Sequence, residues 1–155
     1  MKFSQPVHAR CECGQLWLEA KSRTLLQLVC HCTDCREATG QPFTEVAFFA
    51  PGSYRVHGES QTEQMAGGTG LGKVYHSCAE CGSPLYATVN AVGGSAGVIA
   101  SRLESFKFRP ALHVWTSEKL SETKLPLFAI KFSEAPPNAA GTALRAVVKR
   151  LKKRA

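Results

Sequence analysis

All seven cysteines of the 155-residue chain lie in tight clusters, and the cysteine thiolate is a strong ligand for zinc. The clusters are Cys11-x-Cys13, Cys30-x-Cys32-x2-Cys35 and Cys78-x2-Cys81. If these residues served only as small buried side chains, some of them would be scattered singly along the chain. The clustering therefore predicts metal sites.

A disulfide framework does not fit these cysteines. Their number is odd, and residues 1–10 lack the apolar core that a secretory signal needs. Since the cytosol keeps thiols reduced, we expect a cytoplasmic protein whose cysteines are free to bind metal. The chain also contains no run of ~18 apolar residues, so we expect no transmembrane segment.

Spacing divides the seven cysteines into a group of four and a group of three. Zinc takes four protein ligands in structural sites, and three where one position stays open for water or substrate. Two pairs, each followed by a glycine, supply two sulfurs on a tight turn and complete a closed site: Cys11, Cys13, Cys78 and Cys81. We predict a structural zinc there, which joins the N-terminal strand to a loop more than 60 residues away.

The remaining group, which we call the trio, consists of Cys30, Cys32 and Cys35 and lies within six residues of sequence. Three thiolates on Zn²⁺ carry a net single negative charge and leave one position for a water or an incoming thiol. That layout is typical of a reactive site with a labile metal. The chain is therefore predicted to bind two zinc ions, the second of them labile.

Other partitions of the sulfurs remain open. Pairing Cys32 and Cys35 with Cys78 and Cys81 would make a zinc ribbon, although the 42 residues between these pairs exceed the usual ~15–20. The spacing matches neither common run for an iron–sulfur cluster. His31 and His76 flank the clusters, but a histidine beside a strand cysteine points to the opposite face. We expect both histidines to be packed or hydrogen-bonded rather than metal ligands.

Short apolar segments separated by glycine and proline indicate a mainly β protein, because βαβ units need long helical stretches between strands. The predicted strands are 43–50, 54–57, 73–76, 84–89, 97–100 and 111–115. Two further apolar stretches within 16–29 flank a short polar turn and predict a hairpin. Such a hairpin would bring Cys30 towards Cys11 and Cys13.

Two segments that contain glycine receive different predictions, a short helix for the first and a turn for the second. Residues 33–40 have a capping residue, an acidic first turn and a terminal glycine, which predict a short helix with Cys35 in its first turn. Residues 67–73 nearly match the sequence motif of a phosphate-binding loop, but Val74 occupies the position at which Ser or Thr would bind magnesium. The segment leads into an apparent strand instead of a helix, so we interpret it as a turn.

Positive charge is concentrated at the C-terminal end. Residues 135–155 hold six of the 19 basic residues and none of the 12 acidic ones. Pro136 and Pro137 break the chain there, which predicts a domain over 1–135 and an appendage over 136–155. Residues 142–154 combine helically spaced apolar side chains with basic ones and predict an amphipathic helix. Docking on its own domain is the preferred interpretation, and contact with nucleic acid or an anionic membrane is the alternative.

The cysteine motifs and their surroundings are shared with a known family. They are Cys11-x-Cys13-Gly14, Cys30-His-Cys-Thr-Asp-Cys-Arg36 with Gly40 and Phe43, and Cys78-Ala-Glu-Cys-Gly-Ser-Pro-Leu-Tyr86, followed by Arg109-Pro110, His113-Val-Trp115 and Leu125-Pro126. Over residues 7–128 the chain resembles the glutathione-dependent formaldehyde-activating enzyme (GFA) family, to which centromere protein V is also similar.

The resemblance implies an Mss4-like fold of several small antiparallel β-sheets with short helices. It implies a structural zinc on the four-cysteine group and a labile catalytic zinc on Cys30, Cys32 and Cys35. The implied reaction joins glutathione to formaldehyde, with small-molecule thiol and aldehyde as substrates. A hydrogen-bond donor would stabilise the developing alkoxide, and Arg36 and His31 are the nearest donors in sequence.

Two functions compete at this point. One is a zinc-dependent carbon–sulfur lyase or synthase that acts on a thiol and a small aldehyde at the open trio. The other is a non-catalytic zinc-binding module, with a fourth protein ligand on the trio's metal and a macromolecular partner. The number of protein ligands at the trio separates them.

Overall fold

A computed structural model describes residues 5–21, 23–65, 73–89 and 94–134, and it shows a mainly β protein. In chain order the strands are β1 Val7–Arg10, β2 Trp17–Ala20, β3 Leu26–Cys30, β4 Thr44–Phe49, β5 Tyr54–His57, β6 Ser60–Met65, β7 Lys73–Cys78, β8 Pro84–Val89, β9 Ala96–Ile99, β10 Leu112–Val114 and β11 Ile130–Lys131. The helices are α1 Thr33–Thr39 and the 3-10 helices Ala100–Arg102 and Thr116–Glu118. The predicted fold class is confirmed.

The strands form two sheets. The smaller has the antiparallel order β1-β2-β5, and the larger has the order β11-β10-β3-β4-β9-β8-β7-β6. Neighbours from β3 to β6 in that order are antiparallel, whereas β10 lies parallel to both β3 and β11. The parallel edge places the end of β10 beside Cys30, with Val114 opposite that cysteine.

The predicted hairpin over residues 16–29 is wrong, although both of its strands exist. β2 pairs with β1 and β5, while β3 pairs with β4 and β10 in the other sheet. The connection between them is held by other partners: Lys21 N donates to Ser53 O at 2.9 Å, and Leu25 N donates to Phe48 O at 2.7 Å. The chain therefore crosses from one sheet to the other, and Cys30 is not returned to Cys11.

Two buried clusters organise the interior, and each includes one cysteine group. The first lies between the sheets, where Leu18 of β2 packs with Phe49 of β4 and Val98 of β9, and it includes Cys11 and Cys78. The second contains the trio together with Tyr75, Val114 and Trp115. Packed side chains thus enclose the whole trio, whereas in the four-cysteine group they enclose Cys11 and Cys78.

The predicted short helix is confirmed over Thr33–Thr39. Its N-cap is a cysteine, whereas Ser, Thr, Asp and Asn are the preferred N-cap residues. The Cys32 sulfur caps the helix by accepting a hydrogen bond from Cys35 N at 3.3 Å. Gly40 ends the helix at φ 68°, a left-handed conformation that favours glycine. One sulfur therefore serves both as helix cap and as candidate metal ligand.

Several predictions about the chain's organisation fall outside the described residues. The glycine-rich turn lies almost entirely within 66–72, and only its last residue, Lys73, is described, as the start of β7. The predicted helix over 142–154 and the appendage over 136–155 also lie outside, so the domain boundary stays a prediction. Among the described residues, no helix is both long and apolar enough to cross a membrane.

Candidate metal centres

The four-cysteine cluster brings together two turns from distant parts of the chain. Cys11 and Cys13 lie on the turn after β1, Cys78 ends β7, and Cys81 lies on the turn before β8. The Cys13 Sγ is 3.6 Å from the Cys11 Sγ and 3.6 Å from the Cys78 Sγ, and all four sulfurs lie within 4.8 Å of one another. The predicted grouping of four is present.

Both turns are built in the same way. Gly14 N donates to Cys11 O at 3.2 Å, and Gly82 N donates to Cys78 O at 2.9 Å. The two glycines have φ values of 79° and 73°, which other residues rarely adopt. Leu16 N also donates to the Cys11 Sγ at 3.3 Å, a backbone bond that favours the thiolate form. The glycine after each pair therefore forms the tight turn that aims both sulfurs at one point.

Ser83 connects the two turns, a role that was not predicted from the sequence. Its hydroxyl lies 3.1 Å from the Cys81 Sγ and accepts a hydrogen bond from Glu12 N at 3.1 Å. The hydrogen bond from Ser83 lowers the pKa of Cys81 to about 5. A buried serine directly after a Cys-x2-Cys-Gly turn is the sequence signal that identifies this position.

The trio is formed by one strand-to-helix corner. Cys30 ends β3, Cys32 caps α1, and Cys35 lies in the first turn of that helix. The Cys30 Sγ is 3.3 Å from the Cys32 Sγ and 3.5 Å from the Cys35 Sγ. All three side chains are buried. Because strand, cap and helix are consecutive, local structure alone places the three sulfurs at one point.

The donor sets of both clusters fit zinc. A tetrahedral ion with Zn–S bonds of about 2.3 Å separates its sulfurs by ~3.8 Å, close to the separations of 3.3 to 3.6 Å found here. All seven cysteines are free thiols rather than disulfides. No further His, Cys, Asp or Glu joins the trio among the described residues. Four thiolates can thus enclose one ion, whereas three leave a position on a second.

The zinc-ribbon pairing is not formed. Cys78 and Cys81 lie with Cys11 and Cys13, and the trio forms a separate group. The reason is the position of their elements: β7 ends and β8 begins beside the turn that follows β1, while β3 runs into α1. The division into four and three, proposed from spacing, is the one that the geometry supports.

Lys73 and Tyr75 contact the trio, and neither contact was predicted from the sequence. The Tyr75 hydroxyl donates to the Cys35 Sγ at 3.0 Å. The Lys73 Nζ lies 3.9 Å from the Cys32 Sγ and 3.9 Å from the Cys35 Sγ. The two residues share one face of β7 because side chains alternate along a strand. That alternation was readable in the sequence, but nothing in it indicated which face of β7 meets α1.

These contacts set the protonation states at the trio. Hydrogen bonds from Cys30 and Cys32, with smaller contributions from Lys73 and Tyr75, lower the pKa of Cys35 to about 3. Burial is the largest single influence on Lys73 and opposes its charge, but the combined charges of the three cysteines and Asp34 outweigh burial, so the pKa of Lys73 is raised. Burial, together with Cys35, also raises the pKa of Tyr75. At neutral pH the group therefore contains a thiolate, an ammonium and a neutral phenol.

The histidines and Arg36 bond elsewhere. The His31 Nε2 lies 3.0 Å from the Nδ1 of His113, and burial lowers the pKa of His31 to about 4. The His76 Nε2 lies 3.2 Å from the Thr88 hydroxyl. Both histidines are therefore packed and hydrogen-bonded as predicted, and neither joins a cysteine cluster among the described residues. Arg36 donates to the Thr33 hydroxyl at 3.1 Å, so Lys73 and Tyr75 are the donors at the trio instead of Arg36 and His31.

The segment that follows β10 completes the wall around the trio. Trp115 is buried beside it and has a left-handed backbone, with φ 58°. Three residues later, a Glu118 Oε1 accepts hydrogen bonds from Thr33 N at 3.0 Å and from the Thr33 hydroxyl at 2.8 Å. This carboxylate holds the beginning of α1, where negative charge is favoured. The orientation of α1 therefore depends on the segment that follows β10.

Comparisons with known proteins agree with this site. The family model described as glutathione-dependent formaldehyde-activating enzyme matches residues 6–118, which include every cysteine. Among solved structures, a Rhodobacter sphaeroides protein is similar with a TM-score of 0.51 and 22% identity, over 64% of this chain and 90% of that chain. This structural similarity shows the fold alone. A search of curated proteins gives no match.

Proposed function

This chain belongs to the glutathione-dependent formaldehyde-activating enzyme family, and we propose that it joins a thiol, glutathione, to a small aldehyde such as formaldehyde. The activity would be that of a carbon–sulfur lyase or synthase. Cys30, Cys32 and Cys35 would hold a labile catalytic zinc, and the four-cysteine cluster would hold a structural zinc. The cytoplasmic location expected from the free cysteines is part of the same proposal.

The observation that carries the proposal is the number of ligands at the trio. Three buried sulfurs converge there, and no fourth ligand of the usual kinds joins them within the described part of the chain. Zinc in catalytic sites keeps a position open for a non-protein ligand. The competing function, a non-catalytic zinc module, needs a fourth protein ligand at this place. The arrangement therefore favours the enzyme.

The proposed chemistry is an addition of sulfur to carbon. When bound, zinc would lower the pKa of a thiol and hold its thiolate near the three cysteines. The deprotonated glutathione sulfur adds to the aldehyde carbon and forms the C–S bond, while the C=O π pair moves onto oxygen. That oxygen takes a proton from water, and the product is S-hydroxymethylglutathione. The packed walls of Tyr75 and Trp115 would exclude bulk water from the reacting thiolate.

A direct test follows exchange between free formaldehyde and its glutathione adduct by NMR, with ¹³C-labelled formaldehyde. We expect the zinc-loaded protein to accelerate exchange above the spontaneous rate, and Cys35→Ser to return it to that rate. In calorimetry, glutathione should bind to the zinc-loaded protein at millimolar thiol, whereas S-methylglutathione, which has no free thiol, should not bind. Equal binding of both compounds, or exchange at the spontaneous rate, would reject the proposal.

The test also addresses the alternative function. If the trio's metal proved to have four protein ligands and to resist exchange, the chain would be better described as a zinc-binding module with a macromolecular partner. Salt-sensitive binding of nucleic acid or anionic vesicles that disappears on removal of residues 138–155 would support that description. Catalysed exchange without such binding would support the enzyme.

A further inference from the structure

Lys73 lies against the trio, and its ammonium has no carboxylate partner among the described residues. The Lys73 Nζ contacts two cysteine sulfurs, each at 3.9 Å, and Lys73 forms no ion pair with a carboxylate within the described ranges. Among acidic residues, Asp34 influences the pKa of Lys73, with an effect smaller than that of each of the three cysteines. A half-buried ammonium is costly unless it is paired. Its partner is therefore the negative charge of the trio.

The position of Lys73 is fixed by the sheet. It begins β7, where it lies opposite Met65 of β6 and Val89 of β8, so strands on both sides hold its backbone. Two residues further along, Tyr75 donates to the Cys35 Sγ at 3.0 Å. A strand with neighbours on both sides is more rigid than a loop, and a site on it holds its charges accurately. Lys73 is thus a built-in part of the trio.

The charge of the trio depends on its fourth ligand. Three thiolates and Zn²⁺ together carry one negative charge, and a neutral fourth ligand such as water or imidazole leaves that charge unchanged. A thiolate as the fourth ligand adds a second negative charge to the complex, and the three cysteine thiolates repel this added charge. A cation close to the sulfurs reduces this repulsion and has less effect on a neutral ligand, because the Coulomb energy scales with the charge.

The four-cysteine cluster supports this interpretation by contrast. Its sulfurs receive hydrogen bonds from neutral donors: Leu16 N contacts Cys11, and the Ser83 hydroxyl contacts Cys81. Two of its cysteines, Cys13 and Cys81, are exposed to solvent, which screens their charge. The buried trio has less of that screening. The ammonium of Lys73 lies at the buried cluster, where a nearby positive charge is needed to offset the charge of an additional anionic ligand.

We propose that Lys73 is a specificity-determining residue, whose ammonium makes the trio's metal prefer an anionic thiolate over a neutral fourth ligand. The proposal rests on the proposed function, since it concerns the ligand that the open position accepts. Tyr75 acts as a positioning residue, because its hydroxyl holds the Cys35 sulfur beside the ammonium. Lys73 therefore selects the class of co-substrate by charge, before any contact with the rest of the thiol compound.

The test compares two small ligands on the zinc-loaded protein. 2-Mercaptoethanol binds metal as a thiolate, and imidazole binds as a neutral molecule; neither carries another charge that would interact with Lys73. Calorimetry gives both dissociation constants, and the absorption of cobalt(II)-substituted protein reports whether sulfur or nitrogen has joined the ion. The variants are Lys73→Met, which removes the charge, and Lys73→Arg, which keeps it. Lys107→Met, at an exposed lysine, is the matched control.

We expect Lys73→Met to weaken 2-mercaptoethanol binding about tenfold and imidazole binding less than about twofold. Lys73→Arg should retain most of the preference for thiol, and Lys107→Met should behave as the unaltered chain. Equal weakening of both ligands in Lys73→Met, or no weakening of thiol binding, would overturn the proposal. If Lys73→Met does not fold, Lys73→Gln is measured against Lys73→Arg with the same criteria.

The proposal and the proposed function fail in different ways. If the unaltered protein binds imidazole but no thiol, both are rejected, because no thiolate enters the site. If it binds thiol and accelerates adduct exchange while Lys73→Met retains the same thiol preference, only the role of Lys73 is rejected. Tyr75→Phe provides a check on positioning: it should weaken thiol binding less than Lys73→Met does and leave the ammonium in place.

Discussion

The two cysteine clusters use the same ligand atom in opposite settings. The four-cysteine cluster joins turns 65 residues apart and exposes two of its cysteines. The trio spans one local corner, and all three of its cysteines are buried. The cluster that links distant parts of the fold is therefore the more exposed one. The comparison teaches that linking distant turns and burying the sulfurs are separate properties of a cysteine cluster.

Removing one ligand from each cluster should give the largest difference in behaviour between the two clusters. Cys81→Ser should misfold, because a structural zinc supplies on the order of 10 kcal/mol, comparable with the ~5–15 kcal/mol stability of a whole domain. Cys81 is exposed, so the substitution itself removes no buried packing. Cys35→Ser should fold and lose about one zinc equivalent, since its ligands close only a short loop. Circular dichroism and metal analysis of both variants provide the measurement.

The reverse outcome has a definite meaning. If Cys35→Ser were unfolded and Cys81→Ser folded with one zinc equivalent, the structural and catalytic roles of the clusters would be exchanged. If both variants unfolded, the trio would also be part of the folding core, and its metal would not be labile.

Chelation should separate the clusters without mutation. The trio supplies one thiolate fewer, so we expect about two zinc ions per fresh chain, with unequal affinities. A mild chelator should remove about one equivalent while the near-ultraviolet circular dichroism stays unchanged. A stronger chelator should remove the second and unfold the chain. Simultaneous loss of both ions and of the fold would contradict the difference between the clusters.

The hydroxyl of Tyr75 should matter to the trio alone. Tyr75→Phe removes the donor to the Cys35 Sγ but keeps the buried ring. A hydrogen bond to a charged group contributes about 1.5–3 kcal/mol, so zinc at the trio should bind roughly ten- to hundredfold more weakly. Competition with a chromophoric chelator gives the affinity.

Tyr54→Phe is the matched control for this prediction, because the Tyr54 hydroxyl donates to Gly94 O at 2.8 Å, away from the cysteines. Zinc affinity at both clusters should stay the same in that variant. Equal weakening in the two variants would indicate a general loss of stability rather than a contact with Cys35.

The smallest effect is expected at Ser83. Ser83→Ala removes the hydroxyl that joins Cys81 to Glu12 N, at a cost of about 1–2 kcal/mol. For a chain of this length that corresponds to a fall in Tm of about 2–8 °C. The zinc equivalent that a mild chelator removes should be unaffected. A change in that equivalent, measured in the same chelator titration, would show that the two clusters are coupled.

Local features of the sequence predicted a large part of the site. The grouping of the seven cysteines followed from spacing, since each pair lies on a turn of a few residues. The short helix was also predicted, because its signals are local: an acidic residue lies in its first turn, and Gly40 follows its last residue. The strands Tyr54–His57 and Pro84–Val89 match the predicted bounds. For the individual turns, the helix and these two strands, signals in neighbouring residues were sufficient for the prediction.

Long-range pairing accounts for what was missed. The segment 16–29 has two apolar strands, but partners elsewhere in the chain decide that they join different sheets. Strand β6 is almost entirely polar and exposed, so it has no apolar alternation, and it exists because it pairs with β7. Lys73 and Tyr75 belong to the trio only because β7 lies beside it. No local pattern in the sequence specifies such neighbours.

The parallel pairing of β10 with β3 has a consequence for the order of events during synthesis. His31 and its partner His113 are 82 residues apart, and Trp115 and Glu118 follow later still. The N-terminal part of a chain leaves the ribosome first. The three thiols of the trio therefore emerge long before the segment that covers them, whereas the four-cysteine cluster is complete once Cys81 has emerged. In a nascent chain the four-cysteine group is therefore complete first, and the sulfurs of the trio wait longest for the segment that shields them from oxidants.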